Sequence, residues 1–279
     1  MLQIGGSEAK ILPMKDLSSL SIEDLLARTE EVGASDATRE SDARWDCVYE
    51  AQSRGDQRVF EAARTWCGSD DSLMRGLGAD VLGQLGPPEK RPFASESVPI
   101  LTALLTDSSP EVASCALVAL GHLRMGELAD IGACATHASE DVRQSVAFCL
   151  SGRDEPGARD VLILLSDDPE LDVRNWATFG LAALEKCSDD AVRDALTARL
   201  EDHDPEVRGE ALLGLARRGD DHVVPAICSE LEEDEVTNLA IQAASVLPDP
   251  SFLEPLEDLL EDHPDDEDVA FAIERCRAG

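Results

Sequence analysis

One motif returns along this chain at intervals of 29 to 38 residues, and a period of that size marks a stack of small helical units. Its clearest copies are Asp141-Val-Arg-Gln-Ser-Val-Ala-Phe-Cys-Leu-Ser151, Asp172-Val-Arg-Asn-Trp-Ala-Thr-Phe-Gly-Leu-Ala182 and Glu206-Val-Arg-Gly-Glu-Ala-Leu-Leu-Gly-Leu-Ala216. Weaker copies start at Ser41, Ser72, Glu111, Glu235 and Asp268. The apolar anchors are Ala43, Met74, Val112, Val142, Val173, Val207, Val236 and Val269. Residues four, seven and eight past each anchor are mostly apolar or small, as Ala177, Gly180 and Leu181 follow Val173, so one helical face is apolar. The acid ahead of the anchor suits a helix N-terminus, where the backbone dipole favours negative charge.

Each motif predicts the second helix of a hairpin. First helices are expected over Leu101–Leu105, Ala158–Leu165, Ala191–Leu200, Val223–Leu231 and Phe252–Leu260. Turns fall at Ser109-Pro110, Asp168-Pro169 and Asp204-Pro205, and Gly86-Pro-Pro-Glu-Lys-Arg-Pro92 is a loop by composition. A single hairpin cannot bury its apolar stripe, so neighbours must stack. Ser21-Ile-Glu-Asp24 predicts the start of a capping helix over Ile22–Glu31, with residues 1–16 loosely ordered.

The motif resembles the HEAT family, in particular the short bacterial HEAT-like repeat first associated with phycobilisome lyases. The resemblance runs from Ser41 to the C-terminus. It implies an all-α fold, a right-handed α-α superhelix, with residues 17–279 forming one solenoid of about seven to eight repeats. It says little about activity, because family members include scaffolds, chaperones, a chromophore lyase, a hydroxylase, a DNA glycosylase and toxin inhibitors.

Composition narrows these classes. The chain carries 58 acidic and 24 basic residues, a formal charge of −34, with 23 acids against five bases from Glu201 onward. That field repels nucleic acid and anionic lipid and steers basic partners inward. No run approaches the 18 apolar residues of a membrane span, and the N-terminus lacks a secretory signal pattern, so a cytoplasmic protein is expected. The eight cysteines form no C-x-x-C pair and mostly fall in helical Ala/Leu patterns, as buried small hydrophobes do in a reducing compartment.

No catalytic constellation emerges. The HEAT hydroxylase uses His-Glu pairs, but none of His122, His137, His203, His222 and His263 precedes a glutamate. The runs Glu230–Glu235 and Asp262–Asp268 lack Ca²⁺-loop spacing and read as solvated loops. No metal, no cofactor and no enzymatic activity are expected; a lyase-like subunit and an assembly factor are the alternatives to a binding protein.

The residue after the anchor is arginine at Arg44, Arg75, Arg143, Arg174 and Arg208. The resemblance implies that these bridge to acids of adjacent repeats as a structural ladder, a role the forked guanidinium suits. It also implies that second helices line a concave face, which the second, third and sixth positions past the anchor would share. These rows supply Trp45, Tyr49, Asp80, Phe148, Asn175, Trp176, Phe179 and Glu210 as candidate partner-binding residues. Aromatic residues are 4% of the chain, so their gathering on these rows points to a surface that grips a basic protein, with the free chain a monomer. An inhibitor or immunity protein that neutralises a basic toxin is the specific expectation.

Overall fold

The computed structural model describes residues 17–36, 41–184, 190–233 and 235–278, and among these every regular element is helical. The segment expected to be loosely ordered, 1–16, lies outside them. The fold divides into two compact units, Met1–Leu101 and Thr102–Gly279.

The first unit contains α1 (Ile22–Ser35), α2 (Asp42–Arg54), α3 (Gln57–Cys67), α4 (Ser72–Gly83) and α5 (Ala94–Leu104), within which the division falls. The Ser21 hydroxyl caps α1 by accepting the Asp24 N–H at 3.1 Å. The helix runs one turn beyond the expected Glu31, and α3 was not anticipated. Between α4 and α5 the proline-rich loop turns on Gly86, whose φ is +86°; a Cβ there would sit 2.5 Å from Pro92 Cδ.

In α2 the register differs from the sequence expectation by one residue. Ala43 is exposed, and Arg44, Cys47, Val48 and Ala51 are buried. An inward Ala43 would carry Asp46 and Glu50 inward with it. Cys47 and Ala51 are inward in either register; the observed one adds Val48 to them and leaves Glu50 half-buried, and the apolar area gained decides the rotation. Its cost is a buried arginine.

The second unit is a run of hairpins. Its second helices are α6 (Pro110–Leu123), α8 (Glu140–Leu150), α10 (Leu171–Ala182), α12 (Pro205–Arg217), α14 (Asn238–Val246) and α16 (Glu267–Ala278), packed side by side in chain order. First helices α7 (Leu128–Ala133), α9 (Pro156–Leu165), α11 (Asp190–Arg199), α13 (Val224–Leu231) and α15 (Leu253–Asp262) cover them. Val112, Val142, Val173, Val207 and Val269 are at most 1% exposed. Each such side chain contributes on the order of 1.5–3 kcal/mol by leaving water. Val236 departs from the pattern. It stands half-buried ahead of the helix, because the Thr237 hydroxyl accepts the Ala240 N–H and starts α14 at Asn238, two residues past Val236. Small residues let the second helices approach: a Cβ on Gly214 would fall 2.9 Å from the Ala182 Cβ.

Candidate functional site

Three constructions lie along the second helices. The first is an arginine ladder. Arg143 holds Asp168 with both Nε (2.7 Å) and Nη2 (2.9 Å), and Arg174 holds Asp202 in the same way at 2.8 and 3.1 Å. Arg208 grips Glu230 with the same two nitrogens. The remaining Nη1 of each arginine donates to the carbonyls six and five residues back: His137 and Ala138, Asp168 and Pro169, Asp202 and His203. In the first unit Arg75 makes the same clamp on Ser69 and Asp70.

Asp168 and Asp202 therefore serve two repeats at once. Each carboxylate takes the preceding arginine, each carbonyl takes the following one, and Oδ1 accepts the N–H two residues on at 3.0 and 3.1 Å. Burial alone would raise these two carboxyls. The arginine bonds and backbone N–H groups outweigh it and hold both below the usual carboxylate range.

Arg44 does not belong to this ladder. The one-residue rotation of α2 puts it in the core, where Nη2 meets the Asp80 carboxylate at 2.7 Å and the side chains are 0% and 6% exposed. Among the described residues its Nε and Nη1 have no hydrogen-bond partner, and the guanidinium carbon lies 5.1 Å from the Trp45 ring centre. Asp80, expected on a partner-facing row, is turned inward by this pairing.

A second set of arginines was missed by the sequence reading. Arg218 caps the C-terminal end of α10, donating to the Leu181 (2.8 Å) and Leu184 (2.9 Å) carbonyls. Arg124 donates to Gly152, Arg153 to Gly126 and Arg275 to Ser245. Their signal was a basic residue at or just past a helix C-terminus, where unpaired carbonyls gather.

The third construction is an aromatic strip in the second unit. The rings of His122 (α6) and Phe148 (α8) are 5.3 Å apart, Phe148 and Trp176 (α10) 5.3 Å, and Trp176 and Phe179 5.7 Å, every pair edge to face. Phe179 is 41% exposed, His122 exposed, and Phe148 and Trp176 half-buried. Sequence reasoning named Phe148, Trp176 and Phe179 but not His122, which lies ten residues past its anchor, outside the rows considered. Asn175 of α10 and Glu210 of α12 are half-buried. Burial pushes the Glu210 carboxyl up to about 7, against a lowering pull from Arg217. The first unit has its own pair, half-buried Trp45 and exposed Tyr49, with centroids 5.8 Å apart.

Chemistry-bearing side chains elsewhere are subdued. Burial pushes the Cys67 and Cys149 thiols up to about 12, far from a reactive thiolate at neutral pH. Among the described residues no group of three or more His, Cys, Asp or Glu side chains could hold a metal ion, and no helix is long and apolar enough to cross a membrane.

Comparison with known proteins agrees with the architecture. The chain is 31% identical over 236 residues to the protein YibA of Escherichia coli K12, covering 81% of this chain and 82% of that one. The X-ray structure of E. coli YibA superposes with a TM-score of 0.72 at 27% identity, covering 94% of each chain. An archaeal HEAT-like repeats protein from Thermococcus onnurineus superposes with a TM-score of 0.54 at 17% identity, over 82% of this chain and 96% of that one, a likeness of fold alone. The HEAT repeats family matches residues 97–182, 164–247 and 193–275. With its buried anchors, paired helices and this coverage, the chain belongs to the HEAT-repeat family.

Proposed function

We propose that this protein is a non-catalytic binding scaffold that holds a basic protein partner on the second-helix face of its second unit. The observation that carries the reading is the aromatic strip from His122 to Phe179: four rings each touching the next, partly open to solvent, in a chain with ten Phe, Trp and Tyr residues and a charge of −34. Edge-to-face rings make a rigid apolar platform that loses little entropy on binding, and the acidic field supplies attraction and a fast encounter. The specific role we propose is that of an inhibitor or immunity protein that neutralises a basic toxin or effector.

The immobilised chain is challenged with native cell extract at low and high salt. A basic partner should be retained at low salt, released at high salt, and lost from the Trp176→Ala/Phe179→Ala variant. Recovery of only neutral or acidic partners, insensitive to salt, overturns the reading. Suppression of the captured partner's toxicity on co-expression tests the inhibitory role separately.

A further inference from the structure

The packing of the second helices repeats a fixed set of neighbours. The ring at the sixth position past one anchor touches the third position of the next second helix, as Phe148 touches Trp176. The second position also meets the third of the next helix. The Ser114 and Ser145 hydroxyls lie 2.7 Å apart, and a Cβ on Gly209 would fall 2.8 Å from the Leu239 Cβ. Carried to α10 and α12, the first relation sets Phe179 beside Glu210 and the second sets Asn175 beside Glu210. Glu210 thus holds in α12 the place that Trp176 holds in α10, at the end of the aromatic strip.

Among the described residues, neither the Asn175 amide nor the Glu210 carboxyl makes a side-chain hydrogen bond, although both are half-buried. By that register a carboxyl, an amide oxygen and the exposed Phe179 ring would border one another, the three features a planar cation needs. A guanidinium can lie on the ring while donating to both oxygens, a geometry that a compact ammonium fits less well.

We infer that Phe179, Asn175 and Glu210 form a subsite for an arginine side chain of the partner, an assignment that rests on the partner-binding reading above. The charged groups around Glu210 leave the role to its own carboxyl. On α10, Arg174 is tied to Asp202, and on α11, Arg193 and Arg199 are tied to Asp220 and Asp167. Asp172, Asp190, Asp194, Asp221 and His222 are the other titratable groups of α10, α11 and the 3-10 turn Asp221–Val223, while α14 carries none. On α12 itself Arg217 favours ionisation and Glu206 opposes it.

The test uses the full chain and a capped Gly-Arg-Gly peptide, with its citrulline counterpart as the neutral isostere. Binding is followed by the indole NMR resonance of Trp176, assigned with Trp176→Phe. Since the subsite needs the carboxylate, whose pKa is about 7, affinity for the arginine peptide should rise about ten-fold from pH 6 to pH 8. Glu210→Gln, close in shape, should abolish that rise, and Asn175→Ala should weaken binding about three-fold at both pH values. Citrulline peptide binding as well as arginine peptide, or Glu210→Gln matching the unaltered chain at both pH values, overturns the subsite. If the arginine peptide leaves the Trp176 signal unmoved while Trp176→Ala/Phe179→Ala still loses the basic partner, the subsite falls and the scaffold reading stands. If that double variant keeps the partner, the scaffold reading fails first.

Discussion

Arg44 of the first unit and the ladder arginines of the second are used in opposite ways. Arg44 is fully buried and meets Asp80 through one nitrogen, and among the described residues its Nε and Nη1 have no hydrogen-bond partner. In the second, Arg143, Arg174 and Arg208 lie near the surface at 13 to 22% exposure, with bidentate acid contacts and two carbonyls on the remaining nitrogen. A one-residue rotation of the helix separates the two outcomes. A guanidinium at the edge keeps part of its hydration and can satisfy its whole fork; the same group in the core loses its hydration and recovers less.

The largest effect that would sharpen this contrast is expected in the first unit. Arg44→Ala takes from the buried Asp80 carboxylate the guanidinium that meets it at 2.7 Å and should cost about 3–5 kcal/mol in denaturant unfolding, while Arg44→Met with Asp80→Leu should return stability to the starting value or above it. A double variant as unstable as the single one would show that the buried pair is more than a consequence of register.

Next comes the ladder. Asp202→Ala removes the two bonds from Arg174 and the turn bond from the Asp204 N–H, and should cost about 2–3 kcal/mol. The same pairs set an acid limit. The folded pKa values of Asp168 and Asp202 lie below the unfolded ones, so their stabilisation is complete above about pH 4 and is lost as the pH falls further toward the folded values. Thermal unfolding between pH 6 and pH 2 should show this loss, and Asp168→Asn/Asp202→Asn should flatten it.

The smallest effect has the opposite sign. Glu210 has a raised folded pKa of about 7, so the folded state holds its proton more tightly and stability falls as pH rises from the unfolded value toward 7. Glu210→Gln should gain about 1–2 kcal/mol at pH 8 and nothing near pH 4. A variant less stable at pH 8 would mean that the carboxylate is compensated in the free protein.

Much of the second unit was legible because its signals are local. Acid, valine and small residues at helical spacing fix where α6, α8, α10, α12 and α16 bury their stripes. The miss at α14 was also local in origin, since Thr237 is a better cap than the acid before Val236. The short α7 lacked a full helical period to read, and α3 was passed over despite its apolar face. In α2, Ala43 and Arg44 compete for the inward position, and only the neighbouring Asp80 and the burial of Val48 and Ala51 settle which prevails. Trp176 and Phe179 could be placed on rows by counting, whereas their contact with Phe148 and the inclusion of His122 depend on how adjacent helices cross.

The sequence by itself determined that this chain is a helical repeat protein of strong negative charge, because period, capping and composition act within a few turns of the chain. Tertiary structure decided the partners of the arginines, the inward turn of Asp80, and the ring contacts that join His122, Phe148 and Trp176 across three helices. Those outcomes join residues some thirty positions apart, and they depend on the rotation of each helix against the next, which no local pattern specifies.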